Sequence, residues 1–270
     1  MPERGVPGGL LGSSPLKPAE PETVLVAVAH GSADPRAAAA ISQLAPLVAA
    51  RAAARGLAVP ELRVAYLGHA APSLPQVMGA IDPGAPVTVL PLLLTAAYHS
   101  KTDIPRVLAR AGARAGGVTY GDPLGPHPLL LRALERRVAE ADPGALEHPG
   151  QTAVVLAAAG SSDPEANATI ARLAARWQAG TGWLAVRPAY ASAAGPDPAT
   201  AVARLLAAGA RRVVVASYLL APGFFADRVR DTALAAGATA ASPALGACTE
   251  VADVVLDRYR EAGTRQRTAA

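Results

Sequence analysis

The chain has 270 residues, of which 51% are apolar but only 4% aromatic, with a formal net charge of +4 and a single cysteine, Cys248. That length suits two ordinary domains or one large one, and so few aromatic residues leave Ala, Val and Leu to build the core. One cysteine excludes an internal disulfide and a cysteine-rich zinc site, and scattered basic residues with no nucleic-acid-reading module argue against nucleic acid as a partner.

Residues 1–22 are rich in Gly, Pro and Ser. They lack the continuous apolar core of a signal peptide and read as a disordered tail. No apolar run approaches the roughly 18 residues of a membrane span, so a cytoplasmic protein without membrane contact is expected. The run TVLVAVA at 23–29 has strand length and breaks at His30-Gly31-Ser32. Asp34 and Pro35 suit the N-cap and first turn of a helix, expected to continue to about Arg55, where Gly56 stops it. LRVAYL at 62–67 is the second strand, followed by Gly68-His69 and a helix from Leu74 to Ile81. The central strand, VTVLPLLL at 87–94, delivers Tyr98, His99, Ser100, Lys101, Thr102 and Asp103 before a helix over about 104–114. VTY at 118–120 is a weaker strand, and His127-Pro128 opens a helix ending near Ala141. The segment DPGALEHPGQ at 142–151 reads as a linker.

Beyond it the pattern begins again. AVVLAA at 153–158 leads into Ala159-Gly160-Ser161-Ser162-Asp163-Pro164, as the first strand leads into HGSADP. WLAVRPAY at 183–190 answers the second strand and VVVASYLL at 213–220 the central one, while Leu245-Gly246-Ala247-Cys248 answers Leu124-Gly125-Pro126-His127. The expected fold is α/β, with two similar doubly wound parallel-sheet domains and right-handed crossovers. The divisions are a tail over 1–22, a catalytic domain over 23–141, a linker over 142–151 and a degenerate copy over 152–262. The copy is degenerate because all five histidines, at 30, 69, 99, 127 and 148, lie in the first half or the linker. At the duplicated sites His30 becomes Ala159, His99 becomes about Phe225 and His127 becomes Cys248.

In open α/β sheets chemistry gathers outside the carboxyl ends of the strands, which selects His30 and His99. Histidine exchanges protons near neutrality and in its neutral form ligates borderline divalent metals. Two imidazoles without a third obligatory ligand make a poor structural zinc site, which is closed and four-coordinate, but suit a metal held briefly and passed on. Each also has a plainer reading: His30 as a loop residue bonded to a helix N-terminus, His99 as a helix-start residue without a special role. His127, before Pro128, reads as a turn residue, His148 as linker, and His69 is balanced between the two kinds of reading. The glycines of HGS and AGSS could cradle a phosphate, yet neither completes GxGxxG and no GxxxxGK[ST] occurs. The surroundings of Ser161 do not form a GxSxG elbow.

AHGSADP at 29–35, AYLGHAAPSL at 65–74, LPLLLTAAYHSKTDIP at 90–105 and LGPHP at 124–128 together resemble the sirohydrochlorin chelatase family of class II tetrapyrrole chelatases. The second half resembles the degenerate repeat of its long, two-domain members. The resemblance implies insertion of Fe2+ or Co2+ into sirohydrochlorin, in sirohaem or cobalamin biosynthesis, with no cofactor beyond the substrate metal. It places the family's two active-site histidines, binding metal and accepting pyrrole protons, on His30 and His99. It also implies a polyanionic substrate, for which Ser32, Arg36 and Lys101 are the candidate contacts, with Phe224 and Phe225 facing the macrocycle or packing in the core. Many relatives carry an acidic residue where this chain has Gly68, so no role of that carboxylate transfers. A monomer is expected, since one chain holds both halves. The alternative from another class is a non-catalytic tetrapyrrole or metal carrier.

Overall fold

The structure, a computed structural model, describes residues 23–57, 61–96, 102–110 and 117–269. It contains two four-stranded parallel sheets. The first has the order β2-β1-β3-β4, from β1 (Val24–Ala29), β2 (Leu62–Tyr66), β3 (Val87–Pro91) and β4 (Val118–Tyr120). The second repeats it as β6-β5-β7-β8, from β5 (Thr152–Ala158), β6 (Ala185–Tyr190), β7 (Arg212–Tyr218) and β8 (Ala240–Ala241). In each sheet the chain moves outward from the first strand and then returns across it to the third. The strand order therefore reverses between β1 and β3, and again between β5 and β7.

The central strands β1, β3, β5 and β7 are buried on both faces, as parallel strands between helices must be, while the edge strands are partly exposed. Leu25, Ala27 and Ala29 of β1 point into one core, and Val24, Val26 and Val28 into another. The outer face of the first sheet is covered by α3 (Leu74–Gly79) and by Ile104 of α4 (Ile104–Arg110). The outer face of the second is covered by α8 (Pro198–Ala207) and α9 (Phe224–Ala235). The inner faces share one continuous core with α1 (Pro35–Ser42), α2 (Leu44–Ala54), α5 (Pro128–Ala141), α7 (Pro164–Ala179) and α10 (Thr249–Ala269).

That shared core is closed by an exchange of helices. The last helix of the first half, α5, packs on β7 and β8 of the second sheet, while α10 packs on α2, β3 and β4 of the first. The exchange is symmetric down to single side chains. Arg137 of α5 donates from Nη2 to the Leu245 carbonyl at 2.8 Å, and Arg258 of α10 donates to the carbonyls of Leu124 at 3.2 Å and Pro126 at 3.1 Å. Each arginine also holds a glutamate one turn on, Glu140 at 2.7 Å and Glu261 at 2.8 Å. Arg51 of α2 binds Asp253 of α10 through two bonds of 2.8 and 2.9 Å.

Several boundaries depart from the sequence reading. The helix expected from Pro35 to about Arg55 is broken at Gln43, because Pro46 has no N–H for the carbonyl of Ser42 and its ring crowds that oxygen. The stretch Pro35–Ala54 is nonetheless long and apolar enough, by length and composition, to span a membrane, against the expectation that no run approached this. It consists largely of alanine and is tied to α10 through Arg51. The central strand stops at Pro91 rather than Leu94. Leu92 N–H makes a last bond to Val28, and the carbonyls of Leu93 and Leu94 turn to Gly125 N–H and the Tyr218 hydroxyl. The segment over 142–151 folds into a short helix, α6 (Pro143–Glu147), and a 3-10 turn (Pro149–Gln151). Asp142 at its start is held by Arg212 at 2.6 Å.

The Arg136 guanidinium on α5 holds the Glu250 carboxyl of α10 down to about 2. A carboxylate with a depressed native pKa contributes stability that is complete above its unfolded value, about 4.3, and is lost as pH falls through the native one. Replacing Glu250 with Gln should therefore cost about 1–3 kcal/mol at pH 7. In denaturant unfolding, the gap between wild type and variant should close as pH falls from about 5 towards 2.

Candidate functional site

The carboxyl ends of both sheets face one cleft of about 550 Å³, within the size range of small-molecule sites. One wall carries His30, Gly31 and Ser32 after β1, Tyr66 and His69 around the end of β2, and Leu92–Thr95 after β3. The facing wall carries Ala159, Gly160 and Ser161 after β5, and the segment from Tyr218 to Ala226 after β7. Among the described residues lining it there is no Asp, Glu, Lys or Arg. The interior is thus apolar, with imidazole, hydroxyl and amide groups as its polar points.

His30 leaves the end of β1 at the point where the strand order reverses, the position at which an open α/β sheet forms its crevice. The next residue, Gly31, has φ 90°, and a Cβ there would overlap the carbonyl oxygen of Gly68. Glycine is therefore required by both conformation and contact. The close approach, with Gly68 N–H donating to the His30 carbonyl at 3.1 Å, ties the loop after β1 to the loop after β2. In consequence His69 stands beside His30, with ring centroids 6.5 Å apart. The second half copies this backbone. Gly160 has φ 85°, a Cβ there would overlap the Ser192 carbonyl oxygen, and Ser192 N–H donates to the Ala159 carbonyl at 2.9 Å.

Ser32 lines the cleft, and its Oγ accepts from Asp34 N–H at 3.1 Å. Asp34 caps α1 by accepting from Arg36 N–H at 2.9 Å. The Arg36 side chain does not line the cleft. It pairs with Asp34 at 2.5 Å and with Asp227 of α9 at 2.6 Å, bridging the two halves. These bonds raise the guanidinium pKa further and hold both carboxyls below the usual carboxylate range. On the facing wall Phe224 is 69% and Phe225 39% exposed, so neither packs in the core, and their rings meet edge to face at 5.7 Å. Tyr218 closes the floor and donates to the Leu94 carbonyl at 3.1 Å, with burial pushing its hydroxyl pKa up.

His99 and Lys101 lie outside the described residues. His127 is a helix cap: its Nδ1 accepts from Leu129 N–H at 3.2 Å, and burial, reinforced by Arg258, pushes its pKa down. His148 ends α6. Neither lines the cleft. His69 is the cleft residue that sequence reasoning left undecided. Its one signal is its place just after a strand end, the criterion that selected His30. Among the described residues no cluster of three or more His, Cys, Asp or Glu converges as a metal cage.

Two matched α/β sheets with a histidine-bearing cleft at their shared carboxyl edge define a chelatase-like architecture. The CbiX family profile matches residues 24–141 and again 153–262, and the chain belongs to that family. It is 32% identical over 148 residues to a sirohydrochlorin cobaltochelatase of Priestia megaterium, an alignment spanning 54% of this chain and 48% of the relative. It is 28% identical over 181 residues to a sirohydrochlorin ferrochelatase of the same organism, covering 66% of this chain and 67% of the relative. The chain thus spans about half the length of the cobaltochelatase. Among solved structures, SirB from Bacillus subtilis with Fe3+ superposes with a TM-score of 0.70 at 23% identity, over 92% of this chain and 98% of that one. CbiX, described as the terminal enzyme for sirohaem biosynthesis in denitrifying bacteria, superposes at 0.61 and 19% identity, over 89% and 99%. These superpositions carry the two-domain fold.

Replacing Gly31 with Ala should cost about 2–4 kcal/mol, because the new Cβ meets backbone rather than a movable side chain. Thermal or denaturant unfolding measures the loss. The same change at Gly56, where a Cβ meets nothing within 4 Å, should cost less despite its φ of 63°.

Proposed function

We propose that this chain inserts a divalent metal, Fe2+ or Co2+, into sirohydrochlorin. The observation that carries the reading is the shared cleft, apolar along its walls and lined by imidazoles on one side only, in a member of a family with sirohydrochlorin chelatases among its relatives. An apolar slot suits the macrocycle, whose carboxylates would project towards the rim. Phe224 and Phe225 offer ring faces from the second half, and aromatic stacking favours a flat, conjugated ligand.

In this reading His30 and His99 bind the incoming cation as neutral imidazoles and accept protons from the pyrrole nitrogens. Each N–H bond breaks with its electron pair left on the pyrrole nitrogen, which donates it to the metal as a ligand, while the proton passes to an imidazole that has released the ion and then to solvent. Two protons leave for each metal inserted, and no electron is transferred, so the step needs no nucleotide or redox partner. Ser32 and Lys101 are assigned to the substrate's carboxylates. Arg36 joins them only by exchanging its pair with Asp227, since its guanidinium is already engaged. The reading further places the protein in the cytoplasm as a monomer, which the exchange of α5 and α10 within one chain supports.

The test is an anaerobic absorbance assay with sirohydrochlorin and either metal against a no-enzyme control. Wild type should accelerate conversion, and His30→Ala and His99→Ala should each lower the rate by at least about 100-fold while the fold is retained. Wild-type rates in either variant would remove that histidine from the mechanism. A spectrum that shifts only stoichiometrically, without turnover, would favour a carrier. Lys101→Glu should raise KM for the tetrapyrrole several-fold with kcat largely kept, and an unchanged KM would take Lys101 out of the site.

A further inference from the structure

The cleft wall carries a second imidazole that the two-histidine scheme leaves unused. His69 follows β2, two strands away from the segment that bears His99, and its ring centroid lies 6.5 Å from that of His30 with the planes tilted by 57°. Imidazole nitrogens bind first-row divalent metals at about 2.0–2.1 Å, so two rings on one ion have centroids about 5–6.5 Å apart. The observed spacing lies at the upper edge of that range, within reach of a small rotation of either ring. Both residues are exposed in the cleft, so contact between the rings buries little surface and contributes little to stability.

The repeat offers a control within the molecule. His69 sits at φ 61°, uncommon for a residue other than Gly, and Ala193 repeats that conformation at φ 58° in the second half. Ala159 likewise stands at the duplicate of His30, bonded to the loop after β6 as His30 is bonded to the loop after β2. The backbone of both loops is thus kept in both halves, and both imidazoles are replaced by alanine in the same half. The unusual conformation belongs to the scaffold, since Ala193 adopts it without a ring. The imidazole is the part that distinguishes the two halves, and it is present or absent together with that of His30.

We propose that His69 and His30 form a paired-imidazole site that takes up the divalent cation at the cleft wall. The described lining of the cleft offers the cation no carboxylate, so these imidazole nitrogens are its strongest donors there. This assignment rests on the metal-insertion reading for its purpose but not for its test, because binding of the cation alone can be followed without the tetrapyrrole.

The experiment is titration of the full chain with Co2+, by calorimetry and by the visible absorbance of the bound ion, in wild type, His69→Ala, His69→Asn, His30→Ala and the double variant His30→Ala/His69→Ala. Alanine is sterically accepted at this backbone, as Ala193 shows, and asparagine tolerates positive φ, so both single variants should fold. Each variant at 69 should weaken Co2+ binding on the order of tenfold or more, with a change in the absorbance of the bound ion. The double variant should lose less than the product of the two single losses, as expected for two ligands of one ion. Wild-type Co2+ affinity in both His69 variants would overturn the proposal, even if metal insertion itself were established. Conversely, loss of Co2+ binding in these variants would support the site even if sirohydrochlorin proved not to be the substrate. If each single variant removed one bound ion and left a second at wild-type affinity, the two histidines would act on different ions and the pairing would be overturned.

Discussion

The reciprocal crossing of α5 and α10 is the constraint on which the rest of the structure depends. Without it the inner face of each sheet, including Leu25 and Leu90 in the first and Val154 and Val214 in the second, would lose part of its cover. Each such side chain contributes about 1.5–3 kcal/mol when fully buried. A handful therefore rivals the whole net stability of a domain, about 5–15 kcal/mol. The arginines on the exchanged helices, Arg137 and Arg258, fasten the crossing to the carbonyls at Leu245 and Leu124. Because those carbonyls lie in the loops after the fourth strands, the same bonds hold the carboxyl ends of the two sheets facing each other. The cleft follows from the way the core is closed.

Duplication then separates scaffold from chemistry. The glycine at positive φ, the carbonyl that approaches it and the residue at positive φ on the neighbouring loop recur in both halves. These features shape the wall and leave no room for a side chain at Gly31 or Gly160. The histidines recur in neither sense, being confined to the first half and the connecting segment. A cleft needs two walls but only one set of proton-accepting and metal-binding groups, so the second half can keep its shape with alanine at Ala159 and Ala193.

Charge is arranged in a complementary way. The described interior of the cleft carries no Asp, Glu, Lys or Arg, while Arg36, Asp34 and Asp227 form an ion-pair network outside it that spans the two halves. Exposed pairs of this kind add little stability. Their position matters more, because they join α1 to α9, the helices that follow His30 and carry the two exposed phenylalanines.

The sequence by itself determined what is local. Apolar runs of strand length, Asp-Pro pairs at helix starts and the recurrence of AGSSDP after HGSADP were enough to define two parallel α/β halves and to put His30 at a strand end. These signals depend on a few neighbouring residues, through side-chain periodicity and backbone capping. Pro46 was equally visible, and its effect on the helix at Gln43 was a local matter that the alanine-rich pattern masked. What only the tertiary structure decided involves residues far apart in the chain. The exchange of α5 and α10, the pairing of Arg36 with Asp227 and the approach of His69 to His30 all join distant segments. No periodicity encodes them, because each is set by how two packed layers meet rather than by the conformation of either segment alone.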